Sequence, residues 1–238
     1  MRERGTWRAR IRLAAFLGTA LLAMGVIAAT AWAVFQPIGS TDNSYTGGSG
    51  DPLNPTFTMD QGDRPTFSDG GANQHNVTAR QNGPDKKALF STPTLNGGQQ
   101  TTLDGTQYLT AGTYAFFCTI HPTEMQATLV VTGNGAPQAR PSAAVMKLKT
   151  KTISKAIKKG LRVTTTPNTR IEGVTLTAKL GKSTIGKTTV TLVEGFNSAV
   201  VRLSKSGKSK LRRKSTAKVA VTADIPFGSP VTAKRTLK

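Results

Sequence analysis

The sequence predicts an all-β protein in which an N-terminal signal or anchor helix precedes two small β-sandwiches. Three observations predict this class. From Pro55 to Thr132 short strand candidates are separated by Gly, Pro, Asn and Asp clusters, the pattern of a sandwich or barrel. Beyond residue 143 the runs alternate apolar and polar residues with a period of two, which suits half-buried strands. Helical periodicity is almost absent from Pro55 to Thr132, downstream of the uncharged apolar stretch Leu13 to Phe35.

That stretch has 23 residues and follows Arg2, Arg4, Arg8, Arg10 and Arg12, offset only by Glu3. It is long enough to span a bilayer, for which about 20 apolar residues are needed, yet Ala31-Trp32-Ala33 reads as a small-x-small cleavage site. Residues 1–35 are therefore expected to be either a cleaved signal peptide or a retained anchor. In both cases the basic end stays cytoplasmic and the rest is exported. The expected location is extracytoplasmic, secreted or held at the outer face of the cytoplasmic membrane by residues 13–35. Residues 1–35 contain no adjacent arginine pair to mark a twin-arginine signal.

Residues 36–53 have the Gly, Ser, Thr, Asp and Asn composition of a flexible linker. Residues 54–133 form the first predicted domain, with strand candidates at Thr56 to Met59, Asn76 to Ala79, Gly112 to Phe117 and Ala127 to Thr132. Residues 134–143, rich in Gly and Pro, read as a second linker.

Residues 144–238 form the second predicted domain, a basic immunoglobulin-like β-sandwich of seven strands. The candidates are Met146 to Lys149, Leu161 to Thr164, Val174 to Leu180, Thr188 to Leu192, Ser198 to Leu203, Ala217 to Thr222 and Val231 to Leu237. Thr152 to Lys159 reads as a helical turn or loop, and Gly181, Gly186, Gly195 and Gly207 as turns.

The formal charge of +20 divides sharply. Residues 1–35 carry +4, residues 36–142 carry −3 and residues 143–238 carry +19, with 22 basic and three acidic side chains in that last part. Anionic lipid headgroups or cell-wall polymers are the expected partners of such a surface, against the plainer reading of a solvated lysine-rich face. Export and the lack of interleaved aromatic side chains argue against nucleic acid.

The only cysteine and both histidines fall into one pattern: Asn73-Gln74-His75-Asn76-Val77, and Cys118-Thr119-Ile120-His121-Pro122-Thr123-Glu124-Met125. Two imidazoles, a thiolate and a nearby thioether make up the His2Cys copper set with a weak axial methionine. A single cysteine outside the cell cannot form an internal disulfide, and metal ligation would account for it. The plainer reading is a small buried hydrophobe. In Tyr114-Ala115-Phe116-Phe117-Cys118 the strand period puts Tyr114, Phe116 and Cys118 on one face. His121 then lies on the loop leading to the next strand.

Together these residues resemble a cupredoxin of the plastocyanin, pseudoazurin and amicyanin kind, over about a third of the chain. The likeness rests on the early His75-Asn76-Val77, the Tyr-x-Phe-x-Cys strand, Cys-x2-His-Pro, the nearby Met125 and the closing Thr128-Leu129-Val130-Val131. It implies a Greek-key β-sandwich with one copper ion, held by His75, Cys118, His121 and axial Met125. It also implies that Asn76 ties the two ligand loops together, and that His121 with Pro122 faces a redox partner protein. The spacing departs from the family: His121-x3-Met125 has three residues where two or four are common. Glu124 and Gln126 are therefore alternative axial ligands.

The resemblance implies a monomeric, non-enzymatic carrier of single electrons. A multicopper enzyme would need further histidines, and the chain has two. Two readings of other classes stand beside it: an extracytoplasmic copper-binding or delivery protein, and a surface adhesion protein with a vestigial copper site.

Overall fold

The computed structural model describes residues 36–238. The signal or anchor expectation for residues 1–35 lies outside the described residues. Among the described residues no helix is long and apolar enough to cross a membrane.

The fold is all-β, with two hydrophobic cores. The first half contains β1 (Ile38–Thr41), β2 (Ser44–Thr46), β3 (Thr56–Gln61), β4 (Thr66–Asp69), β5 (Thr78–Ala79), β6 (Gln100–Thr102), β7 (Gly112–Phe117) and β8 (Gln126–Gly135). One four-stranded sheet has the order β2-β1-β4-β6 and the other the order β3-β8-β7-β5. In the first, β1 runs parallel to β4; in the second, β3 runs parallel to β8. Alternation does the local work, since β8 buries Ala127, Leu129 and Val131 while the residues between them stay half-exposed.

The two sheets meet through aromatic rings. Tyr45 packs edge-on against Phe116 at 5.0 Å and Phe67 at 6.4 Å, and Phe116 also touches Phe57 and Phe90. Such pairs add about 0.5–1.5 kcal/mol each beyond the area they bury.

Two corrections follow. The segment 36–53 is not a free linker: its polar composition hides Ile38 and Tyr45, both buried in this core, and Asp42 turns the β1–β2 hairpin with φ 47°. The first domain therefore begins near residue 38 rather than 54. Nor is 134–143 a loose linker. Strand β8 runs to Gly135, the Gln138 N–H donates to the Gln107 carbonyl at 2.8 Å, and Ser142 and Asn168 exchange hydrogen bonds.

The second half contains β9 (Ala143–Leu148), α1 (Ile153–Lys159), β10 (Leu161–Pro167), β11 (Ile171–Leu180), β12 (Ser183–Leu192), β13 (Asn197–Val201), α2 (Lys205–Arg212), β14 (Ala217–Asp224) and β15 (Val231–Leu237). Its seven strands form an antiparallel three-stranded sheet, β13-β10-β9, and an antiparallel four-stranded sheet, β12-β11-β14-β15. The core between them draws on Leu161, Val163, Leu176, Ile185, Val201 and Val221. Helix α1 starts where expected, with the Thr152 hydroxyl accepting from the Lys155 N–H.

Helix α2 was not expected. It is capped by Ser204, whose hydroxyl accepts from the Gly207 N–H at 3.0 Å. Gly207 is not a turn: a Cβ there would lie 2.1 Å from the Ile185 carbonyl oxygen, so the helix sits on β12 at glycine distance. Gly186 likewise lies inside β12 rather than at a turn.

Candidate metal centre

The site is built on the end of the β7–β8 pair. Phe116 and Cys118 are fully buried, on the face the strand period assigns them. Beyond the last register pair, Phe117 with Gln126, the chain makes a loop closed by two backbone bonds. The Cys118 N–H donates to the Met125 carbonyl at 3.0 Å and the Met125 N–H to the His121 carbonyl at 2.9 Å. A loop pinned at both ends is a rigid place for ligands.

This loop brings the His121 Nδ1 to 3.9 Å from the Cys118 sulfur. His75 arrives from a separate segment, bridged to Leu95 by a reciprocal pair of backbone hydrogen bonds. Its ring lies 5.1 Å from that of His121, tilted by 44°. The structure thus brings together His75, His121 and Cys118 from segments some 40 residues apart.

Asn76 joins the two segments. Its Oδ1 accepts from the Thr119 N–H at 2.9 Å, while its Nδ2 donates to the hydroxyls of Thr119 and Thr94. The Tyr45 hydroxyl donates to the Asn76 carbonyl at 2.6 Å. Burial, with a smaller contribution from Cys118, holds that phenol protonated well beyond its usual range.

Three candidate axial side chains differ in environment. Met125 is buried among the core residues. Glu124 is exposed, its carboxyl held below the usual range chiefly by the Thr123 hydroxyl and its own backbone N–H. Gln126 is half-buried and its amide donates to the Thr123 carbonyl at 3.1 Å. Pro122 is exposed, beside exposed Ile120 and half-buried His121.

Two contributors escape the sequence. Asp69, at the end of β4, places Oδ1 2.9 Å from the His75 Nδ1; the same oxygen accepts from the Ser40 hydroxyl and the Gly71 N–H at 3.1 Å each. Burial alone would raise the Asp69 pKa, but these hydrogen bonds outweigh it and leave it below the usual value. An ionised carboxylate can only accept, so in this contact the His75 Nδ1 is the donor and, in the neutral imidazole, Nε2 is the nitrogen left with the lone pair. The Nε2 is buried and without a hydrogen-bond partner. Tyr45 is the second; it lay in what read as a linker.

Among the described residues, no three His, Cys, Asp or Glu side chains already stand clustered around a common metal position. The donor chemistry nonetheless fits one soft or borderline metal ion: an orphaned imidazole nitrogen, a second imidazole beside it, a buried unpaired thiol and a buried thioether.

No protein-family model matches the chain, and neither does any curated protein. Similar solved structures include a purple cupredoxin from Nitrosopumilus maritimus, at 21% identity over 32% of this chain and 77% of that one, with a TM-score of 0.26. An oxidized amicyanin mutant is 25% identical over 47% of this chain and 87% of that one, TM-score 0.32. Another reaches 31% over 34% and 71%, TM-score 0.28.

Proposed function

We propose that this protein is an extracytoplasmic single-electron carrier with one copper ion of the blue, type 1 kind. The observation that carries the reading is the convergence of His75, His121 and Cys118 at the end of the first sandwich, with the unpartnered Nε2 of His75 buried beside the second imidazole. Unpaired buried nitrogens are costly, by about 1–3 kcal/mol, and a metal bond removes that cost.

His75, His121 and Cys118 would hold the ion and Met125 would be the weak axial donor. Burial favours Met125 over Glu124, which is solvated, and over Gln126, whose amide is engaged with Thr123. Copper supplies the one-electron couple. The chain supplies the rest. Asp69 orients His75, Asn76 ties the two ligand segments, and the core around Cys118 excludes water. Half-buried His121 beside exposed Ile120 and Pro122 offers the contact for a redox partner. Both histidines of the chain are used in this site, so the reading includes no catalytic second metal centre.

The test is a visible absorption titration with Cu(II) of the protein beside Cys118→Ser, Met125→Leu and Glu124→Gln. An intense thiolate-to-copper band saturating at one equivalent is expected, lost in Cys118→Ser, shifted in Met125→Leu and unchanged in Glu124→Gln. No band in the unmodified protein would end the reading. A band with rapid metal transfer to a chelator and no reversible couple would favour copper delivery instead.

A further inference from the structure

The basic second module carries a connected series of concavities. The largest, of about 700 Å³, lies against the outer face of the three-stranded sheet and is lined by Lys149, Lys151, Lys155, Lys159 and Arg162. Lys149 also lines the next, of about 540 Å³, at the seam between β9 and β15. There Arg235 spans the seam, donating to the Leu148 carbonyl at 2.8 Å. Lys234 and Arg235 are shared with a third concavity of about 410 Å³ on the outer face of the four-stranded sheet. Lys218 joins that to a fourth, of about 570 Å³, reaching Lys210 and Lys214 at the end of α2. Each concavity shares cationic walls with the next, so they form one track.

Nothing in the module neutralises this track. Residues 143–238 contain three carboxylate side chains, Glu172, Glu194 and Asp224. Glu172 is paired with Arg170 at 3.1 Å. Among the described residues, no carboxylate lies within ion-pair distance of the lining cations. Unpaired like charges repel and oppose the compact state, a cost removed when anions are bound.

We propose that this track binds a flexible linear polyanion bearing phosphate groups along its length. A single small anion would need one closed site, whereas the track is a succession of open ones. A membrane would need its cations on one face, whereas these pass from the outside of one sheet, around a seam, to the outside of the other. Lysine, a strongly hydrated point charge on a long stem, outnumbers arginine in the lining and suits a mobile backbone better than fixed bidentate recognition. The inference is independent of the copper reading and is tested without metal.

The experiment measures binding of the full chain to polyphosphates of increasing length, to pyrophosphate, and to vesicles with and without anionic phosphatidylglycerol, across a salt series. The paired variant Lys149→Glu/Lys234→Glu, both exposed, is compared with Lys187→Glu/Lys205→Glu, exposed cations off the track. Affinity is expected to rise with polyphosphate length to a plateau. It should fall at least tenfold in the track variant, with a shallower salt dependence because fewer counterions are released, and far less in the control. Equal losses in the two variants would mean diffuse charge without a track and would overturn the proposal. So would length-independent binding equal to that of pyrophosphate, or a preference for anionic vesicles that the track variant leaves unchanged.

Discussion

The carboxylate of Asp69 and the imidazole of His75 form a fully buried pair at 2.9 Å, with the Asp69 oxygen also holding the Ser40 hydroxyl and the Gly71 N–H. The contact makes Nδ1 the donor and, in the neutral imidazole, leaves the lone pair on Nε2, the nitrogen that the proposed metal would take. Its second oxygen, Oδ2, makes no hydrogen bond.

Asp69→Asn can therefore keep Oδ1 as acceptor and set its amide where Oδ2 stood. Apo stability should fall by about 1–3 kcal/mol, since the buried amide has no acceptor, while copper affinity falls about 10–100-fold through loss of the charge behind the proposed ligand. Asp69→Ala leaves three donors unpaired and should cost about 1–3 kcal/mol for each one that water does not reach. Imidazole ¹⁵N shifts give the decisive readout: His75 should be wholly Nδ1-protonated in the native protein and a tautomer mixture in Asp69→Ala. An unchanged tautomer in that variant would refute the positioning role.

The N-terminal hairpin is structural, not a spacer. Ile38 is fully buried and Tyr45 nearly so, and burial of each such side chain is worth about 1.5–3 kcal/mol. Deleting residues 36–46 should unfold the first sandwich or lower its melting midpoint by well over 10 °C, since about 1 kcal/mol shifts a domain of this size by about 4–8 °C. Tyr45→Phe, which removes only the hydrogen bond to the Asn76 carbonyl, should cost about 1 kcal/mol. Thermal unfolding of both proteins checks this. A deletion variant as stable as the intact chain would restore the linker reading.

These cases show what was legible. The face of Tyr114, Phe116 and Cys118 follows from a period of two, and all seven strands of the basic module alternate clearly enough to be placed. The candidate ligands His75, Cys118 and His121 stood out because His and Cys occur nowhere else in the chain. Ile38 and Tyr45 were hidden because two apolar residues among Gly, Ser, Thr and Asp give no periodicity; only packing against Phe67 and Phe116 gives them a partner. Asp69 was invisible for another reason. A carboxylate six residues before a histidine has no helical or strand relationship to it, and only the path of the chain after β4 brings the two together. Gly186 and Gly207 read as turns because close backbone approach and turn geometry select the same residue.

Phe227 shows that the two sandwiches are in contact. It holds a left-handed backbone at φ 59°, unusual for a bulky residue, and its N–H donates to the Asp85 carboxylate at 3.0 Å across the boundary. Its ring tilts against Tyr108 at 5.8 Å, and Arg140 donates to its carbonyl at 3.3 Å while lying over the Tyr108 ring. Phe227→Ala removes the ring contact and keeps the backbone bonds; adding Asp85→Ala removes the cross-boundary amide partner too. The double variant should increase proteolytic cleavage within residues 136–140 several-fold and enlarge the radius of gyration in small-angle scattering, with both cores still folded. Equal cleavage and equal dimensions in the native and double-variant proteins would mean that 134–143 alone sets the arrangement of the modules.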